Sequence, residues 1–290
     1  MRRSVFLCAT AGFAAFPRIA SATVYDRVEA IAHRVPGVIG AYCHTLADGA
    51  PVFAYNPAVQ FPAASTIKLL ILLTAYRADE AQPGALDETV LYDRKTLIAG
   101  SDFMAAQPDG ARLSVRQLLV PMIAVSDNTA SNLLITHFGF DAINASAAAA
   151  GLQDTVLARH FLDYAAIVRH NDNVTTPLDM ATLLGAIANG AREDVATVAT
   201  AEHCKAMIRL MLRQTDRDGI PAGLPARAQV ANKTGEIDGT RNDVAIVEPF
   251  EDSPYVLTVY TKWLTDYAAG YAAMHALARL SYQLAGSSGA

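Results

Sequence analysis

The 290-residue chain lacks the patterns that hold metals and nucleotides. It has no CxxC and no HExxH, and its seven histidines show no ligand spacing, so neither a metal nor another cofactor is expected. The absence of a GxxxxGK[ST] loop removes a common phosphate cradle. No basic cluster is present and the formal net charge is -5, which argues against nucleic acid as a partner. Internal repeats and low-complexity linkers are also missing. Cysteine is scarce, with three in all. Charged residues make up only 18% against 52% hydrophobic, a balance that excludes a disordered chain and leaves ample material for a core. The length suits one large domain or two interleaved ones.

The N-terminus carries the one targeting signature. Arg2 and Arg3 precede the apolar run SVFLCATAGFAAF, and Ala20-Ser21-Ala22 matches a small-x-small cleavage site. Residues 1–22 therefore read as a signal peptide for Sec or twin-arginine export, and the mature protein as periplasmic or secreted. The run is too short to span a bilayer, so no stable membrane span is expected after cleavage. Cleavage removes three arginines and no acid, which takes the net charge from -5 to -8. Cys8 leaves with the leader. Cys43 and Cys204 remain, and in an exported protein they could pair if the fold brings them together.

Beyond the leader, TVYDRVEAIAHRV has helical periodicity. GVIGAYCHTL and PVFAYN flank Asp48-Gly49 as a hairpin. From about 61 to 215 the pattern is mainly helical, broken by the irregular span 154–176. Strand-like runs return in AQVANKTG, TRNDVAIVEP and PYVLTVYTKW, and YAAGYAAMHALARLSYQLA forms a closing helix before a frayed GSSGA tail. Strands at both ends with helices between predict an α+β fold. One antiparallel sheet flanked by helices is built from residues 23–60 and 216–290, with an all-helical domain, 61–215, inserted. A monomer is expected, since no long exposed apolar run is evident.

Three short motifs carry chemistry. In AASTIKLLILL, Ser65 and Lys68 are three apart at a helix start, hence neighbours on one face. Burial lowers a lysine's pKa and makes it a base, which a serine hydroxyl needs before it can act as a nucleophile. Amides left free at the same helix start can hold an oxyanion. Taken alone, Lys68 could equally be a side chain snorkelling at a helix edge. Ser126-Asp127-Asn128 follows an apolar helix and reads either as an N-cap or as a proton relay, Ser126, beside an amide binder, Asn128. Lys233-Thr234-Gly235 ends a strand-like run. It reads either as a turn after a solvated lysine or as a cationic seat for a substrate carboxylate, with Arg241 adding to the seat and Gly235 admitting substrate backbone to the strand edge.

In this order the three motifs form the signature of class A β-lactamases and penicillin-binding proteins. The chain resembles the class A β-lactamase superfamily over nearly all of its mature length, and FPAASTIK, MIAVSDNTASNLL and KTGEIDGTRNDVAIV extend the match beyond the triplets. The resemblance implies a serine hydrolase that opens a β-lactam or cell-wall-peptide-like substrate through a Ser65 acyl-enzyme. It makes Lys68 the base, and Ser126 with Lys233 the relay to the lactam nitrogen. The amides of Ser65 and Glu236 become the oxyanion hole, Thr234 and Arg241 the carboxylate seat, and Asn128 the contact to the acylamide side chain.

One element of that family pattern is missing. Class A enzymes carry a loop glutamate that positions the deacylating water. The matching loop here, 158–177, contains no glutamate: the expected position falls at Phe161 or His160, and Tyr164 or Ala165 replaces the partner asparagine. Asp163 is the candidate substitute base, with a loop ion pair to Arg159 or Arg169 as its alternative role. His160 is a second candidate, though a lone histidine is more often structural. Slow deacylation would suit a D,D-peptidase, esterase or amidase, or a penicillin-binding acyl trap that signals to a partner.

Overall fold

The computed structural model describes residues 22–193 and 196–285. The leader up to Ser21, with Cys8, and the GSSGA tail lie outside the described residues. The helix Ala22–Ala32 leads into strands β1 (Val38–Thr45) and β2 (Pro51–Tyr55), which pair antiparallel. Asp48 closes their turn by accepting hydrogen bonds from the Thr45 hydroxyl and the Ala50 amide, while Gly49 supplies a φ of +67°.

The chain then leaves the sheet and returns for β3 (Val230–Ile237), β4 (Thr240–Val247) and β5 (Tyr255–Lys262). The strand order is β2-β1-β5-β4-β3, antiparallel throughout, so β1 from the first quarter of the chain pairs with β5 from the last. This is the α+β architecture expected from the pattern. The helices Ala22–Ala32 and Tyr267–Ala285 cover one face, and Pro177–Glu193 packs against β1, β4 and β5 from the other. Covered on both sides, β4 and β5 are buried at nearly every position. That is why TRNDVAIV and YVLTVYTK show no polar-apolar alternation.

Two apolar clusters result. One, with Val28, Phe53, Leu257 and Met274, fills the space under the terminal helices. The other is centred on the helix Lys68–Ala81, buried on every side from Lys68 to Tyr76. A helix apolar all round must be a central one, and each fully buried leucine in it contributes about 1.5–3 kcal/mol. Cys43 and Cys204 are buried free thiols, one in each cluster, so the possible pairing is not made.

The span 154–176 is tied down rather than loose. Val174–Thr175 pairs with Phe61–Pro62, and Val156 bridges Val174. Asn173 Oδ1 accepts from the Ala158 and Arg159 amides at 2.8 and 3.0 Å. Arg159 forms an ion pair with Asp172, not with Asp163, at 2.7 Å.

Candidate active site

Ser65 lies in a 3₁₀ turn, Ala64–Ile67, that runs straight into the helix Lys68–Ala81. In such a turn residues i and i+3 eclipse, which stacks Lys68 on the face that carries Ser65. Ala64, just before the serine, adopts φ +47°, and Ser126 adopts φ +58°. Each left-handed non-glycine residue costs about 1–3 kcal/mol and persists only when its surroundings enforce it. At Ala64 the enforcement is visible next door. The Ala63 amide donates to the Asn173 carbonyl at 2.9 Å, and the Ala63 carbonyl accepts from the Thr66 hydroxyl at 2.7 Å. Tyr260 donates to that same hydroxyl at 2.9 Å.

Ser126 sits on the turn between the helices Val115–Ala124 and Asn128–Phe138. Asp127 anchors the turn. Its carboxylate caps the second helix at the Ala130 amide (2.9 Å) and accepts from the Met104 amide (3.1 Å). Its N-cap role and the relay role of Ser126 are therefore compatible. Lys68 Nζ reaches this turn with all of its capacity: Ser126 O at 2.6 Å, Ser126 Oγ at 3.0 Å and Asn128 Oδ1 at 2.9 Å. Lys233 Nζ approaches the same hydroxyl from β3, at 3.1 Å, and also donates to the Thr234 carbonyl at 2.8 Å. Ser126 Oγ thus lies between two amines.

Both lysines are fully buried. Burial pushes Lys68 well below the ordinary lysine range; the Lys233 ammonium pushes the same way, and the Asp127 carboxylate opposes. Burial brings Lys233 down to about 8 against the pull of Asp243, Asp216 and Glu236. Lys68 Nζ and Lys233 Nζ both donate to Ser126 Oγ, and Lys68 donates in addition to Ser126 O and Asn128 Oδ1. Asp243 is itself buried, where desolvation raises its pKa to about 7, and it is held by Asn232 Nδ2 (3.1 Å) and the Ile220 amide (2.8 Å).

Gly235 lets β3 pass close to Ser65. A Cβ there would stand 3.0 Å from the Ser65 amide nitrogen and 3.1 Å from Ala63 O. Two clefts meet at Ser65. The larger, about 450 Å³, is walled by Phe161, Leu162, Tyr164, Ile167 and Ile237, with Asn128, Glu236 and Asp238 also in its lining. The smaller, about 280 Å³, is lined by Ser126, Asn128, Thr234, Glu236 and Asp216 among others. A hollow of about 530 Å³ beside Ala47, Arg192 and Phe250 holds no nucleophile.

The remaining candidates are placed elsewhere. Asp163 caps the short helix Tyr164–Val168 through the Ala166 amide at 3.0 Å and lines neither cleft. His160 lies 3.2 Å from Thr136 Oγ1 and packs edge-on against Phe140, and burial lowers its pKa. At the position where the family pattern calls for glutamate, the Phe161 ring covers Lys68, with Nζ 4.4 Å from the ring centroid. Asn132 holds the Phe161 backbone from both sides, accepting from its amide at 2.8 Å and donating to its carbonyl at 3.2 Å. Asn132 was not singled out from the sequence, although it lies one helical turn from Asn128 and so shares its face.

Arg241 lines neither cleft. Its Nε lies 3.4 Å from Glu236 Oε1, one terminal nitrogen donates to the Ile237 and Thr240 carbonyls at 3.0 and 2.7 Å, and the guanidinium stacks 3.9 Å from the Tyr267 ring centroid. Tyr271 donates to the same carboxylate oxygen of Glu236. Neither tyrosine belongs to a motif, and nothing in the sequence pointed to them.

Comparison with known proteins bears on the family and the fold. A family profile described as "Beta-lactamase enzyme family" matches residues 23–285. A β-lactamase of Amycolatopsis lactamdurans is 31% identical over 228 residues, 77% of this chain and 72% of the relative. Among solved structures, a β-lactamase from Sphaerobacter thermophilus superposes with a TM-score of 0.78 at 30% identity, covering 91% of this chain and 97% of the other. A variant of PBP-A, solved as an acyl-enzyme complex with penicillin G, gives 0.79 at 25% identity over 90% and 95% of the two chains.

Proposed function

The chain belongs to the β-lactamase enzyme family, and on that premise we propose that it is an exported serine acyl-transfer enzyme whose Ser65 is acylated by β-lactams and released slowly. The observation that carries this reading is the amine–hydroxyl–amine chain Lys68–Ser126–Lys233 beside Ser65, with an aromatic ring where a deacylating carboxylate would stand. Lys68, whose pKa burial lowers, serves as the base and takes the Ser65 proton as Oγ attacks the lactam carbonyl carbon. The Oγ–C bond forms and the lactam C–N bond breaks. The proton passes through Ser126, under the charge of Lys233, to the leaving nitrogen. The Ser65 and Glu236 amides receive the oxyanion, and each such donor is worth about 2.7–4 kcal/mol of barrier. Thr234 and Lys233 seat a carboxylate unaided, since Arg241 is engaged by Glu236. Asn128 borders the acylamide side chain. Periplasmic or secreted placement follows from the leader. A D,D-peptidase reading in which an amine takes the acyl group is favoured by the same ring, because an acyl-enzyme that excludes water waits for another nucleophile.

Intact mass of residues 23–290 followed over seconds to hours with a penicillin tests the proposal. An adduct that persists for minutes or longer is expected. Rapid loss of the adduct with drug turnover would require an efficient water-activating group, and no adduct would remove the function.

The relay sets a pH dependence. Lys233 is charged below about 8, so the acylation rate is expected to hold through neutral pH and fall above it. Asp243 opposes the loss of that charge, so Asp243→Asn is expected to shift the falling limb to lower pH. An unmoved limb in the pH–rate profile would remove Asp243 as the residue that supports Lys233.

A further inference from the structure

Resting on the acyl-transfer reading above, we propose that Glu236 is a specificity-determining residue. Its side-chain carboxylate occupies Arg241 in place of a substrate's, and so weakens the dependence of acylation on a substrate carboxylate. Glu236 borders both clefts, whereas Arg241 borders neither. The two residues are directly opposed on β3 and β4, with Glu236 Oε1 3.4 Å from Arg241 Nε. The Glu236 side chain is 46% exposed and that of Arg241 18%, so the acid is the member of the pair that an incoming anion meets first.

The pair is held from both ends. Tyr271 donates to the same Oε1 of Glu236. Arg241 Nη1 donates to the Ile237 and Thr240 carbonyls at 3.0 and 2.7 Å, and the guanidinium lies 3.9 Å from the Tyr267 ring centroid. Those contacts of Arg241 do not involve Glu236, so they keep the guanidinium in place when the acid is changed. What Glu236 takes is Nε, and with it the charge that a substrate carboxylate would use. Thr234 stands on the same face of β3 as Glu236, two residues away and about 7 Å along the strand. A carboxylate seated by Thr234 and Lys233 therefore has near it an arginine whose charge is already matched. Replacing Glu236 by its amide leaves that charge unmatched at the edge of the clefts.

Benzylpenicillin and its methyl ester read this out, since they place the same acyl group on Ser65 and differ only in the carboxylate. With either, the Ser65 Oγ–C bond forms, the lactam C–N bond breaks and the serine proton ends on the nitrogen. Intact mass gives the acylation rate of each, and hence the acid-to-ester ratio. In the parent chain, Arg241→Gln is expected to change that ratio by less than about threefold, because the arginine is already paired. Glu236→Gln should raise the ratio about tenfold, the size of one hydrogen bond to a charged group. Adding Arg241→Gln to that variant should remove most of the gain. Glu236→Ala gives the same test if the amide variant fails to fold. A parent ratio that collapses with Arg241→Gln would mean that the arginine already reaches the substrate. An unraised ratio in both Glu236 variants, or a gain that Arg241→Gln leaves intact, would mean that Glu236 withholds nothing. Each of these results, with Ser65 still labelled, overturns the inference and leaves acyl transfer standing. No adduct from either compound would overturn acyl transfer itself, and this inference with it.

Discussion

Incubated with a penicillin, Ser65→Ala protein is expected to keep its unmodified mass for hours while the parent chain gains one drug equivalent. The argument is local. The three partners of Lys68 are on the Ser126–Asn128 turn, and no hydrogen bond among the described residues ends on Ser65 Oγ. Removing that oxygen leaves the relay and the 3₁₀ turn intact, so stability should change by less than about 0.5 kcal/mol. Only the atom that forms the ester is lost. Binding and the oxyanion hole can still speed a water attack weakly, but they cannot build a covalent adduct. Labelling that survives the substitution would move the nucleophile elsewhere, with Ser126 next in line because it too borders the cleft and touches both amines.

The second large effect is a gain. Phe161→Glu is expected to shorten the life of the acyl-enzyme by about 10²-fold or more, the range for a placed general base, while acylation changes by less than tenfold. The Phe161 ring stands 4.4 Å from Lys68 Nζ and its backbone is held at both ends by Asn132, so a glutamate there would be delivered to the ester without moving the loop. Its carboxylate would lose hydration at a nearly buried position, and the facing amine offsets that cost. The same pairing raises the pKa of Lys68, which is why acylation should slow somewhat rather than stay unchanged. Pulse labelling followed by dilution measures the lifetime directly. An unaltered lifetime would mean that water is excluded by the cleft as a whole and not by this ring.

Much of the fold is legible in the sequence, and the boundary has physical causes. The three motifs place Ser65 with Lys68, Ser126 and the edge of β3 because each depends on local spacing: i to i+3 in a turn, a cap before a helix, a glycine in a strand. The sheet was legible from both ends because turn and strand chemistry is local too. Side-chain direction is not local. Arg241 is in the expected sequence position, yet its guanidinium is decided by Glu236 two strand positions past Thr234 and by Tyr267 on the last helix. Asp163 was attractive as the nearest acid by count, but it caps the helix Tyr164–Val168 and so turns to backbone amides instead of to Lys68. The ion pair expected between Asp163 and Arg159 is not the one made: Arg159 pairs with Asp172, because the loop folds back on itself through Asn173.

The pairing of β1 with β5 has a consequence for how the molecule comes into being. Tyr42 and Thr258 are ladder partners 216 positions apart, and β4 and β3 follow from β5 outward. Lys233 reaches Ser126 only from β3, which is an edge strand supported by those inner ones. A growing chain thus has Ser65 long before it has the sheet that carries Lys233, and contacts of such long separation form slowly. In the proposed mechanism, Ser65 gains the support of Lys233 only once that edge strand has docked.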